Sequence, residues 1–142
     1  MAKYSVFDCT MVELDKHHSD RKGNLTVVQN GTTLPFDVKR VYYLYDVPGG
    51  EDRGGHAFRD NQEVVIALSG AFDVIVDDGV SQKTFRLDRS YYGLYIPKGL
   101  WRTMENFSTN SFALEFGSVE YSADDYIRDY DEFLKLKKDG KI

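Results

Sequence analysis

The stretch from Gly50 to Gly79, GEDRGGHAFRDNQEVVIALSGAFDVIVDDG, constrains the fold of this chain more than any other. Its skeleton is Gly50, five residues, His56, one residue, Phe58, four residues, Glu63, six residues and Gly70. His56 and Phe58 stand two apart, so on a strand both side chains point to the same face. In a small β-barrel that face is either the lumen or solvent. Glu63 is expected to return on the next strand and set a carboxylate near the same cavity. Downstream, Pro97, Gly99, Arg102 and Asn106 form a second spaced run.

The two spacings resemble the first and second cupin motifs, G-x5-H-x-H-x3,4-E-x6-G and P-x-G-x2-H-x3-N. Phe58 and Arg102 stand where the motifs carry histidines. The resemblance implies an all-β fold, a cupin or jelly-roll double-stranded β-helix barrel. The departures fall on metal-ligand positions, so they bear on chemistry as well as on fold.

The rest of the chain suits that fold. Its 142 residues allow one domain with a real core, and the expected division is a barrel over about 4–120 and a C-terminal α-helix over about 123–138. Ten tyrosines and nine phenylalanines favour strands. Strands are expected over 4–8, 11–15, 25–28, 38–46, 64–68, 72–76, 83–87, 94–96 and 112–116. His17 and His18 read as part of a polar turn, and Asp77-Asp78-Gly79 as a type I′ hairpin turn. On the strand VKRVYYLYD, Val41, Tyr43 and Tyr45 share one face, and Arg40, Tyr42 and Leu44 the other. From Ser122 the period becomes helical: Tyr126, Tyr130, Phe133 and Leu134 make an apolar stripe. Ser122 with Asp125 resembles a capping box, and lysines at 135, 137 and 138 suit the helix dipole.

Charge and cysteine content exclude several functions. A net charge of −5 lacks the basic footprint of a non-specific nucleic-acid binder. A single cysteine, Cys9, excludes an intrachain disulfide and a multi-cysteine zinc site. No apolar run is long enough for a signal peptide or a membrane span, so the expected compartment is cytoplasmic. The chain has three histidines, of which only His56 falls at a cupin ligand position, together with Glu63. A phenyl ring cannot coordinate a metal, and a guanidinium repels one. No metal or other cofactor is therefore expected. His56 reads instead as a general base, poised near neutral pH, or as a structural barrel histidine. Tyr43 is the candidate phenolic donor to an enediolate. Arg40, Arg53, Arg59 and Arg102 are candidates for gripping a diphosphate by paired hydrogen bonds, with Glu63 at the substrate.

Five segments together carry a closer resemblance: Lys39–Tyr43, Arg53–Ala57, Val76–Gly79, Gly93–Tyr95 with Trp101, and Asp125–Tyr130. From about Phe7 to Leu136 the chain resembles the sugar-nucleotide 3,4-ketoisomerases, cupin proteins related to the C-terminal part of WxcM-like proteins. The resemblance implies a metal-free isomerase, a homodimer, acting on dTDP-4-keto-6-deoxyglucose. Its product would be the 3-keto sugar used to make dideoxy-amino sugars. It maps the catalytic base to His56, the strand tyrosine to Tyr43 and the preceding arginine to Arg53. The second histidine of the family pattern R-G-x-H-A-H, a proton relay between the two sugar oxygens, maps to Phe58 and is absent. Alternatives are a sugar-nucleotide-binding cupin without turnover, a related isomerase or epimerase with another keto sugar, and a metal cupin using His56, Glu63 and a further ligand.

Overall fold

Alternating inward and outward residues on short strands produce two facing five-stranded sheets. The structure, a computed structural model, describes residues 3–142. The strands are β1 (Thr10–Glu13), β2 (Asp15–Ser19), β3 (Gly23–Val27), β4 (Arg40–Tyr45), β5 (Arg53–Phe58), β6 (Glu63–Ser69), β7 (Phe72–Asp77), β8 (Gln82–Leu87), β9 (Tyr92–Ile96), β10 (Trp101–Glu105), β11 (Phe112–Gly117) and β12 (Tyr126–Ile127). One sheet runs β1-β9-β6-β11-β4, the other β12-β5-β10-β7-β8, and β2-β3 form a separate hairpin. All pairings are antiparallel. This is a cupin-like β fold with one C-terminal helix, α1 (Tyr130–Lys138).

The space between the sheets is filled from both sides. Val65, Ala67, Leu94 and Ala113 of the first sheet meet Phe72, Val74, Val76 and Met104 of the second, all essentially buried. A second cluster lies outside the first sheet. There Val64, Ile66 and Phe116 are covered by Leu14, Leu34 and the partly buried Val28, Phe36 and Val38. Strand β6 is therefore apolar on both faces, as its continuous run Val64–Leu68 requires.

Several local expectations are corrected. Residues 6–8 form a 3-10 turn capped by Ser5, not a strand. His17 and His18 lie on β2 rather than in a turn, because Asp15–Ser19 pairs with Gly23–Val27. The β7–β8 connection is a four-residue loop, since Asp77 pairs with Gln82. Asp78 organises it by accepting from the Val80 and Ser81 amides at 2.9 and 2.7 Å. The helix starts at Tyr130, well after the expected 123. Residues 123–125 make a 3-10 turn without a Ser122 side-chain cap, and Tyr126 and Ile127 pair with Phe58 and Ala57. Asp125, expected to complete a capping box, instead accepts from the backbone amides of Asp60 and Asn61 at 2.7 and 3.2 Å. Asp129 is the true cap, accepting from Asp131 N at 2.9 Å.

Candidate active site

A cleft of about 310 Å³ opens at one end of the lumen, lined by Tyr42, Leu44, Arg53–His56, Arg102, Glu115, Tyr126 and Arg128. A larger groove of about 770 Å³ lies between the N-terminal segment, the Asp78–Ser81 loop and α1. It holds no histidine and no buried acid, so the acid–base chemistry belongs to the smaller cleft.

The strand order builds this cleft. Arg102 on β10 is the direct cross-strand partner of His56 on β5. The register then slips, with Met104 opposite Arg53, so two β5 residues oppose one on β10. Gly54 adopts φ +85° within this bulge. Left-handed backbone favours glycine there, and bulges beside sites re-aim side chains. Any Cβ on Gly54 would also collide with the Arg102 guanidinium. The Gly54-Gly55 pair thus makes room for the arginine and turns His56 into the cleft.

His56 is half-buried. Its ring lies 4.7 Å from Phe58, edge-on, and 5.0 Å from Tyr126. Its Nε2 is itself buried and has no hydrogen-bond partner within the protein. Burial first, and then the Arg102 charge, hold its pKa down at about 3. The imidazole is therefore neutral at pH 7 and free to accept a proton.

Behind it lies a closed charge network. Arg102 donates from Nε to Glu63 Oε2 at 2.8 Å and from Nη2 to Glu63 Oε1 and Glu115 Oε1, each at 2.5 Å. Tyr42 donates to Glu63 Oε1 at 2.5 Å. Arg102, Glu63 and Glu115 are each at most 2% exposed. One guanidinium faces two carboxylates in a dry site, and the two respond oppositely. The Glu63 pKa is lowered because, although burial opposes it, the Arg102 charge and the Arg102 and Tyr42 hydrogen bonds favour its anion. Burial pushes Glu115 up to about 8, and the neighbouring Glu63 charge adds to that. Burial beside the Glu63 anion thus favours the protonated form of Glu115. Burial likewise raises the Tyr42 phenol far above its ordinary value.

The expected site residues separate into two groups. His56, Arg53 and Arg102 line the cleft, and Glu63 sits behind it with both oxygens engaged. Arg40 lies alongside, its guanidinium 4.9 Å from the Tyr42 ring centre and 5.9 Å from that of Tyr126, with Nε and Nη2 buried and unpartnered. Tyr43 is corrected: it lies on the outer face of β4, 54% exposed, stacked on Phe112 at 5.0 Å. Tyr42 holds the inward position. Arg59 is also outside the cleft, paired with Glu132 at 3.5 Å. Among the described residues no three His, Cys, Asp or Glu side chains group as a metal site requires.

Four cleft residues, Tyr42, Glu115, Tyr126 and Arg128, were not expected. Tyr42 was legible from alternation: if Arg40 faces the substrate, Tyr42 does and Tyr43 cannot. Glu115 was hidden in FALEF, where Phe112, Leu114 and Phe116 look like the inward set. Leu114 and Phe116 pack outward instead, against residues 12–38, Phe112 stacks on Tyr43 and Tyr45, and Ala113 and Glu115 are left to the lumen. Arg128 stacks over Tyr126 at 4.3 Å and reaches the cleft only because β12 docks on β5.

Known proteins are similar to this chain in sequence and fold. A curated relative, the TDP-4-oxo-6-deoxy-alpha-D-glucose-3,4-oxoisomerase of Aneurinibacillus thermoaerophilus, is 37% identical over 127 residues, covering 85% of this chain and 91% of its own. The crystal structure of a 3,4-ketoisomerase from Helicobacter canadensis superposes with a TM-score of 0.89 at 37% identity, over 92% of this chain and 98% of that one. The sugar 3,4-ketoisomerase QdtA from Thermoanaerobacterium thermosaccharolyticum, solved in complex with TDP, gives 0.91 at 29% identity, over 97% of this chain and 100% of that one. Residues 7–138 match the family described as FdtA: WxcM-like, C-terminal, and the chain belongs to that family.

Proposed function

We propose that this protein is a sugar-nucleotide 3,4-ketoisomerase that moves the ketone of a dTDP-linked 4-keto-6-deoxy sugar from C4 to C3. The observation that carries the reading is a His56 imidazole on the cleft wall, without a hydrogen-bond partner in the protein, in a chain whose relatives are 3,4-ketoisomerases. The hydrogen on C3 is acidified by the neighbouring ketone. His56 takes it, an enediol forms, and the same imidazole returns the proton to C4. Its low basicity in the empty cleft is offset during reaction, because negative charge developing on the sugar stabilises the imidazolium.

Arg53 and Arg128 bring two guanidinium groups to the cleft wall, and among the described residues neither is ion-paired. They are suited to the diphosphate, which arginine grips by paired charge-assisted hydrogen bonds. Arg40 offers a further free guanidinium beside them. Tyr42 takes the inward tyrosine role first given to Tyr43, its proton held by Glu63 and its oxygen open to a sugar hydroxyl. Arg102 and Glu63 hold the wall. No step needs a metal or a cofactor.

A homodimer in the cytoplasm completes the proposal. β4 is a sheet edge whose outer face carries Val41, Tyr43 and Tyr45, each more than half exposed, and such an edge and apolar face suit a second copy. Among the described residues no helix is long and apolar enough to cross a membrane.

The test is incubation with dTDP-4-keto-6-deoxyglucose in D₂O, followed by NMR. The expected result is ketone migration with deuterium entering the ring. An inert sugar with measurable dTDP affinity would leave a binding protein without turnover.

A further inference from the structure

Phe58 leaves the reaction one group short. Moving a ketone between adjacent carbons needs two proton transfers, one between carbons and one between oxygens. His56 serves the carbons. The side chain two residues on, which shares its face, is a phenyl ring that can move no proton. We infer that Glu115 is the group that carries the proton between the two sugar oxygens, in place of an imidazole at position 58. This rests on the ketoisomerase reading above.

The geometry places Glu115 for the task. It lines the same cleft as His56. It is the direct cross-strand partner of Tyr42, and its Oε1 shares the Arg102 Nη2 group with Glu63. Arg102 in turn lies directly across from His56. The charged and titratable groups facing Glu115 are thus Tyr42 from β4, His56 from β5, Glu63 from β6 and Arg102 from β10. Glu63 cannot be the donor, because Tyr42 and Arg102 occupy its oxygens and favour its anion. Two buried carboxylates beside one cation retain one proton between them, and burial leaves it on Glu115. The arrangement is a neutral acid that becomes a paired carboxylate on releasing its proton, with Arg102 already in place to receive the charge.

The balance closes without a co-reactant. The C3–H bond breaks, its proton passes to the His56 imidazole, and its electron pair forms the C3–C4 double bond. The former C4 carbonyl oxygen takes the proton of Glu115. In the second half the O3–H proton passes to the Glu115 carboxylate and O3 becomes the carbonyl. The double-bond electrons then take the proton of His56 at C4. C4 is reduced and C3 oxidised by the same electron pair, and both protein groups are restored.

Glu115→Gln separates this role from a structural one, because glutamine preserves the shape and a neutral hydrogen-bonding group but cannot give up a proton. With dTDP-4-keto-6-deoxyglucose in D₂O, the variant is expected to lose about 10²–10⁴-fold in ketone migration. Deuterium entry at C3 stays within a few-fold of the unsubstituted protein, because His56 still removes that hydrogen and the enediolate collapses backward. Phe58→His in the same background restores migration at least about tenfold. Equal loss of migration and exchange, unchanged migration, or no rescue would overturn the assignment. Should Glu115→Gln fail to fold, the kcat profile of the unsubstituted protein decides. Migration is expected to fall above a pH of about 8 as Glu115 loses its proton; a flat profile from pH 6 to 9.5 removes the proposal. An unsubstituted protein that neither exchanges nor migrates overturns the ketoisomerase reading and this inference with it. An active one indifferent to Glu115→Gln overturns this inference alone.

Discussion

The two ends of the lumen are built by the same strands and behave as opposites. Along β6 the inward residues run Glu63, Val65, Ala67; along β11, Glu115, Ala113; along β10, Arg102, Met104; along β4, Tyr42, Leu44. Each strand contributes a charged or hydroxylated side chain at the cleft end and an apolar one a pleat further on. The apolar end gains from being removed from water, at roughly 25 cal/mol per Å². The polar end is costly to bury and stays folded because its fully buried cation, Arg102, is answered by Glu63 and Glu115. Difference in chemistry is thus set by two-residue steps along single strands, and stability at one end supports reactivity at the other.

The contrast breaks most severely at the polar end. Arg102→Met leaves the Glu63 carboxylate and the Glu115 carboxyl without their cation in a dry site and is expected to lower stability by about 3–5 kcal/mol. Denaturant unfolding checks it; a loss under about 1 kcal/mol would mean that water reaches the network. Its neighbour on the same strand, Met104, is fully buried among apolar side chains. Met104→Ala should cost about 2–4 kcal/mol by leaving a cavity, while binding of dTDP is kept.

pH sharpens the comparison, because the two titrating groups of the polar end oppose each other. Glu115 is raised to about 8, so the folded protein holds a proton that the unfolded chain releases between pH 4.5 and 8. Stability therefore falls as pH rises through that window. His56 is lowered to about 3, so between pH 6.5 and 3 the unfolded chain binds a proton that the folded one refuses, and stability falls as pH drops. Each slope is at most about 1.4 kcal/mol per pH unit. Thermal melts from pH 4 to 9 should show a maximum between the two slopes, and Glu115→Gln should flatten only the alkaline one. The smallest expected effect contrasts adjacent tyrosines. Tyr42→Phe removes a buried hydrogen bond to a carboxylate and should cost about 1.5–3 kcal/mol, whereas Tyr43→Phe, on the outer face, should stay within about 0.5 kcal/mol. Equal effects would mean that β4 is turned the other way.

The sequence made the barrel readable because spacing and alternation are local properties. The Gly50–Gly70 skeleton placed β5 and β6, and the run Val64–Leu68 announced a strand covered on both faces. What it concealed depended on distant chain. Nothing within FALEF says that residues 12–38 will cover Leu114 and Phe116 and leave Glu115 inside. Tyr126 and Ile127 look helical until β5 offers them a strand edge, which postpones the helix to Tyr130. Tyr43 is the phenolic donor both in the chemical reading of the strand tyrosines and in the resemblance, although the face shared with Arg40 already favours Tyr42.

The docking of β12 on β5 has a consequence in time. Tyr126 and Arg128 form part of the cleft wall, and both come after β1–β11 in chain order. During synthesis the two sheets are complete by Gly117 apart from this short edge. A nascent chain thus holds His56 in an unfinished pocket until β12 has been made and has docked on β5.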